Sequence, residues 1–263
     1  QKEAQRAASL MKASYTCLKE LDLLVCYDAR TIKKVLELVR RVDPDLVLTH
    51  SPVDYMVDHE TTSRLCQSAC FGAMAPNLKT GARRPAKAVR RVPHLYYAQP
   101  FGGRDIVGEP IRPKLCVDIS TTIDLKEKML ACHESQRAWL RAQQDISQLD
   151  DPMRKMAQQA GELCGVRWAE GFRQHLGQGF PPDNLLRSLL GDLVRPVITY
   201  YDVASPAGGL EISAHNFAFH ALVNAPSLDT FTVDFTQGPY GVAFEIYETV
   251  PWLSASQNAG VTH

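Results

Sequence analysis

The sequence predicts an α/β protein in which a parallel sheet is flanked by helices and followed by a small β-rich C-terminal extension. Three observations lead there. Over residues 1–193, stretches with helical periodicity alternate with short extended runs, the pattern of strands joined through helices. One of those runs, Asp45-Leu46-Val47-Leu48-Thr49, is apolar without alternation and directly follows a helix, as a buried parallel strand does. Beyond residue 194 the period drops to two and the charge changes. All 29 Lys and Arg fall within residues 1–195, whereas residues 196–263 carry six acids (Asp202, Glu211, Asp229, Asp234, Glu245, Glu248) and no base. A break of that kind divides the chain into a domain over 1–193 and an extension of unknown role over 194–263.

Element by element, residues 2–13 are rich in Ala, Leu, Met, Lys and Glu and read as a helix. Tyr15 to Leu18 reads as a short strand. Thr31 to Val42 is an amphipathic helix, with Ile32, Val35, Leu36 and Val39 on one face and a stop at Asp43-Pro44. After the Asp45–Thr49 strand, further strands are expected at His94 to Ala98 and Leu115 to Ile119. Long helices are expected over 123–143, 152–175 and 184–193. In the extension, Val197–Tyr201, Leu210–Ile212, Thr230–Phe235 and Val242–Tyr247 read as strands separated by Gly-Gly, Asn-Ala-Pro and Gly-Pro-Tyr-Gly turns.

Composition removes several classes of function. With 45% hydrophobic and 22% charged residues and zero formal net charge, nothing biases the whole chain toward nucleic acid or membrane. The longest apolar runs fall far short of the roughly 20 residues a membrane span needs. The polar start Gln-Lys-Glu-Ala-Gln-Arg does not read as a signal peptide. Seven cysteines, an odd number with no C-x-x-C pair, point to a reducing compartment and a cytoplasmic location. Cys66 and Cys70, four apart on a helix, are either metal ligands or small buried hydrophobes.

The chemistry concentrates in one loop. His50-Ser51-Pro52-Val53-Asp54-Tyr55-Met56-Val57-Asp58-His59 leaves the carboxyl end of the Asp45–Thr49 strand, where open α/β sheets place their ligands, and enters a helix. Asp58 is placed to cap that helix. An imidazole oriented by a neighbouring carboxylate is a zinc ligand in chemical type; equally, such a loop reads as polar surface with a capping Asp and a solvated His.

The loop resembles the signature of the LmbE-like, or PIG-L-type, zinc-dependent N-deacetylases, in which a strand ending D-L-V-L-T-H leads to D-Y-H-P-D-H. Four more stretches match in order: Pro93-His94-Leu95-Tyr96-Tyr97, Val117-Asp118-Ile119-Ser120, the run from Lys126 through His133-Glu134-Ser135-Gln136, and Glu170-Gly171-Phe172-Arg173. The likeness covers roughly residues 1–193. It implies a Rossmann-like sheet, incomplete here at its N-terminus, and a zinc ion used to remove an N-acetyl group by hydrolysing a non-peptide amide bond. The implied substrate is a small N-acetylated amino sugar or glycoconjugate. On this resemblance His59 is the metal ligand, Asp58 orients it or the attacking water, and His133 is a second catalytic candidate. His50, Asp54 and Tyr55 are assigned to substrate binding, with His50, Asp54 and His133 also available as substitute ligands. His133 reads as a helical residue, either packed or facing the pocket.

Two departures qualify the match. The family's first-strand A-H-P-D-D motif, which supplies a His and an Asp ligand and the usual base, does not occur, and the expectation is that it lies upstream. Met56 and Val57 stand where the family has His-Pro, and a thioether cannot donate a hydrogen bond to an oxyanion. The alternative reading is a non-catalytic, deacetylase-like module for sugar binding or interaction. A homo-oligomer is left open.

Lys79, Arg83, Arg84, Lys87, Arg90 and Arg91 form a basic stretch, read as a solvated loop or as a rim attracting anions; it lacks an aromatic residue for stacking bases. His215 and His220 fall on opposite faces of a strand and do not share a metal.

Overall fold

The computed structural model describes residues 1–138 and 150–197, together with four short strands beyond them. The chain forms two compact units, Gln1–Ile198 and Thr199–His263. In the first, α1 (Lys2–Leu10) and α2 (Ala29–Val42) precede β1 (Leu46–Thr49), α3 (Val57–Gly72) and β2 (His94–Ala98). Then follow a 3-10 turn at Phe101–Gly103, β3 (Leu115–Asp118), α4 (Ile123–Ala131), α5 (Asp150–Glu162), β4 (Ala169–Gln174), α6 (Leu185–Leu190) and β5 (Val194–Pro196). In the second unit, β6 (Glu211–Ile212) pairs antiparallel with β7 (Phe235–Thr236), and β8 (Ala243–Glu245) with β9 (Ala259–Val261). The flanks of the strands expected there, and His215 and His220, lie outside the described residues.

The five-stranded sheet has the order β1-β2-β4-β3-β5. Only β1 and β2 pair in parallel; β2–β4, β4–β3 and β3–β5 are antiparallel, so the expected parallel sheet is instead mixed. The physical reason is β4. β1, β2 and β3 do run in one direction, but β4 inserts between β2 and β3 and runs against both. Its residues were expected inside a helix over 152–175. That helix ends at Glu162, and the backbone turns at Gly165 with φ +72°, a conformation that costs glycine little. Gly171 has a separate role. A Cβ there would lie 2.8 Å from Gln99 Oε1 and from Pro113 Cβ, so the strand fits only without one.

Other boundaries follow from local chemistry. Residues 15–18 form no strand. α2 starts where Asp28 Oδ1 accepts a bond from Thr31 N–H at 2.7 Å and stops at Asp43, whose φ of 48° leaves the right-handed helix just before Pro44. The expected helix over 123–143 breaks at Cys132-His133, so His133 sits between helical segments and not within one.

Alternation along β2 builds the two halves of the core. Leu95 and Tyr97 face α2 and α3, packing with Leu36, Val39, Ala69 and Cys70. Tyr96 faces the other way, toward Leu115, Phe172, Leu186 and Val194. Cys70 is thus a buried apolar residue, and its burial pushes the thiol up to about 12. Among the described residues, no helix is long and apolar enough to cross a membrane.

Candidate metal centre

β1 and β2 run parallel, so their carboxyl ends meet at one rim of the sheet. The loop from His50 leaves β1 at that rim and folds back as α3 begins. Its conformation is held by its own side chains. Asp54 Oδ1 accepts from Met56 N–H at 3.1 Å, an Asx turn, while Asp54 N–H donates to Glu60 Oε1 at 3.1 Å. Val53 N–H donates to Ser51 Oγ at 3.3 Å.

This folding brings three groups together. The ligating atoms of His50, Asp54 and His59 all lie within 4.8 Å of one another. Asp54 is buried, at 2% exposure, and its Oδ1 lies 2.9 Å from His59 Nδ1. A carboxylate that accepts from an imidazole Nδ1–H leaves the Nε2 lone pair free for a metal. The His50 ring stacks on that of His59, centroids 4.0 Å apart and planes 6° from parallel. Partial burial, then the neighbouring His59, push His50 below its ordinary value, against the opposing pull of Asp54. His50 is therefore a neutral imidazole at pH 7, the form that binds metals. Tyr55, exposed, meets His59 edge-on at 5.5 Å and lies 6.2 Å from the ring of Phe101, which follows β2.

Two imidazoles and a carboxylate suit zinc in chemical type, and their spacing suits a single ion. The parallel stacking does not aim both rings at one point, however. With Asp54 engaged at His59 Nδ1, the atoms that could hold an ion are His59 Nε2 and the nitrogens of His50.

The remaining site residues fall elsewhere. Asp58 does not cap α3, because Met56 occupies that position. Asp58 is the second residue of the helix, and its buried Oδ2 accepts from Leu23 N–H, tying the 21–24 loop to α3. His133 is not part of the cluster. Its neighbourhood is bound to α1, through Glu3 to the Ser135 N–H and hydroxyl and through Arg6 to the Cys132 carbonyl. Cys66 and Cys70 join no metal-ligating group among the described residues.

Sequence reasoning missed a contact made by Arg173. On β4 it pairs with Tyr97, which pairs in turn with Thr49, so these residues form a row across the sheet just before its rim. From there Arg173 Nη2 donates to the hydroxyl of fully buried Ser51 at 2.7 Å, beside His50. Arg173 had been visible only as the end of an E-x-F-R motif.

No family model matches the chain. Over 135 residues it is 29% identical to 4-oxalmesaconate hydratase from Pseudomonas putida, and it spans about half the length of that curated relative (51% of this chain, 49% of that one). Among solved structures it is similar to GalB, the 4-carboxy-2-hydroxymuconate hydratase from the same species, at 25% identity and a TM-score of 0.50, covering 70% of this chain and 72% of that one. A conserved protein from Thermus thermophilus matches at 23% identity and a TM-score of 0.52 over 70% and 75% of the two chains. The N,N'-diacetylchitobiose deacetylase from Pyrococcus horikoshii matches at 24% and 0.54 over 66% and 62%. The chain shares the fold of the LmbE-like superfamily, in which hydratases and a deacetylase both occur.

Proposed function

We propose that this chain is the metal-holding body of an enzyme that activates water for attack on a small polar substrate, and that the reaction is addition of water to an unsaturated carboxylate. The observation that carries the metal-dependent reading is the Asp54–His59 pair with His50 against it, three donors within 4.8 Å at the rim of the sheet. His59 holds the ion through Nε2, with zinc as the cation of choice for this donor set. Asp54 keeps the His59 proton on Nδ1 and fixes the ring, and His50 offers a second neutral nitrogen. When bound, the cation lowers the pKa of a coordinated water and polarises a substrate oxygen. Tyr55 packs edge-on against His59 and leans on Phe101, placing an exposed aromatic pair beside the donors. Hydration is preferred over amide hydrolysis because Met56 cannot donate to a tetrahedral oxyanion, and because the curated relative matched over 135 residues is a hydratase.

A second reading, removal of an N-acetyl group from an amino sugar, is favoured by the ordered set of motifs and by the exposed faces of Tyr55 and Phe101, on which a sugar ring can pack. The test is zinc titration by calorimetry followed by assay of 4-oxalmesaconate hydration and of N-acetylglucosamine release. Stoichiometric zinc binding lost in His59→Ala, with turnover of the unsaturated acid, supports the first reading. Release of acetate alone supports the second, and failure of the intact chain to bind zinc overturns both.

A further inference from the structure

We propose that Arg173 is the anchor for a carboxylate of the substrate, so that the site takes acids rather than neutral compounds. This deepens the reading above and rests on it. Arg173 reaches from β4 to the 50–59 loop and touches Ser51, the residue next to His50. Its guanidinium is partly buried, yet no Asp or Glu among the described residues pairs with it, and the nearby phenol of Tyr97, which burial pushes up to about 12, is neutral and supplies no counter-charge. Both acids of the neighbouring loop are engaged elsewhere, Asp54 with His59 and the Met56 N–H and Asp58 with the Leu23 N–H.

A partly desolvated cation without a counter-charge is costly to keep in a folded protein, and guanidinium is the group whose planar fork matches a carboxylate with two parallel bonds. Ser51 uses one of its five donors, which leaves the fork available. The register places the arginine in the row that ends at Thr49, one residue before His50, and its bond to Ser51 puts an acid held there beside the loop that carries the metal-type donors. An anchored carboxylate of this kind comes from an unsaturated acid or from an acetylated sugar acid; both share the group that Arg173 recognises.

The experiment measures binding to the full chain with zinc present, using mesaconate and N-acetylneuraminate as probes and their methyl esters as neutral controls. Wild type binds an acid and discriminates against its ester. Arg173→Gln weakens acid binding by about tenfold or more and leaves ester binding and zinc affinity unchanged, while Arg173→Lys falls between. A role limited to holding Ser51 would weaken acid and ester alike. Mesaconate alone responding identifies the unsaturated acid as the source, N-acetylneuraminate alone the sugar acid. The proposal is overturned if wild type binds neither acid, or if Arg173→Gln binds both as well as wild type. Zinc binding retained in that case would leave the metal site standing, whereas loss of zinc binding in wild type would remove the proposed function itself.

Discussion

At His59 a single hydrogen bond converts a common side chain into an oriented one. Without Asp54 the ring is free to turn; with Oδ1 2.9 Å from Nδ1, its orientation is held. Replacing Asp54 by Asn keeps the volume but removes the charge, and zinc affinity is expected to fall about 10–100-fold in calorimetric titration. Unchanged affinity would mean that the ion, if bound, is held elsewhere. The same carboxylate organises the loop through the Met56 N–H, so the variant's melting temperature belongs beside the titration.

Two residues of α2 act as fasteners between elements. Arg40, 7% exposed, donates to the carbonyls of Ala73 (3.1 Å), Ala75 (2.5 Å) and Leu78 (2.9 Å), tying α2 to the turn that follows α3. Arg40→Ala is expected to cost about 2–4 kcal/mol in denaturant unfolding. Lysine should recover only part of it, since one ammonium cannot serve three diverging carbonyls. Glu37 accepts from Thr80 Oγ1 at 2.7 Å, the Ala86 N–H at 2.9 Å and Arg41 at 2.9 Å, pinning the 79–91 loop to the helix. Burial would raise its carboxyl, but these three bonds outweigh it and hold the group below its ordinary value of 4.5. The folded state therefore binds fewer protons there than the unfolded one. The stabilisation is present above about pH 4.5 and is lost as acid titrates the folded carboxylate. Stability measured from pH 6 down to about 3 should fall less steeply in Glu37→Gln than in wild type. Equal slopes would show that the loop contacts do not favour the ionised form.

For the molecule as a whole, the sheet is the part most exposed to error from local reasoning. Leu36, fully buried between α2 and the sheet, was legible from the helical spacing of Ile32, Val35, Leu36 and Val39, and Leu36→Ala is expected to cost about 2–5 kcal/mol. β1 and β2 were legible because both are short and rich in apolar residues. β4 was not. Ala169-Glu-Gly-Phe-Arg-Gln carries two charges and a glycine, and nothing in that string outweighs the helical pattern before it. It becomes a strand because β2 and β3 each present an unpaired edge that its backbone satisfies. Gly171→Ala should destabilise by about 1–3 kcal/mol in thermal unfolding, since the added methyl meets Gln99 and Pro113. A neutral outcome would show that those loops yield.

The sequence by itself determined the parts whose causes are local. These are the amphipathic α2 with its Asp28 cap, the apolar strand β1, and the placing of His50, Asp54 and His59 in one short loop at the strand's carboxyl end, because periodicity, capping and turn chemistry act over a few residues. Only the tertiary structure decided which residues of that loop converge. It turned Asp58 toward Leu23, left His133 beside α1, stacked His50 on His59 and bonded Arg173 to Ser51 of the loop from more than a hundred residues away. Contacts between distant segments depend on strand order and direction, and β4 settles these only when its backbone finds two open edges.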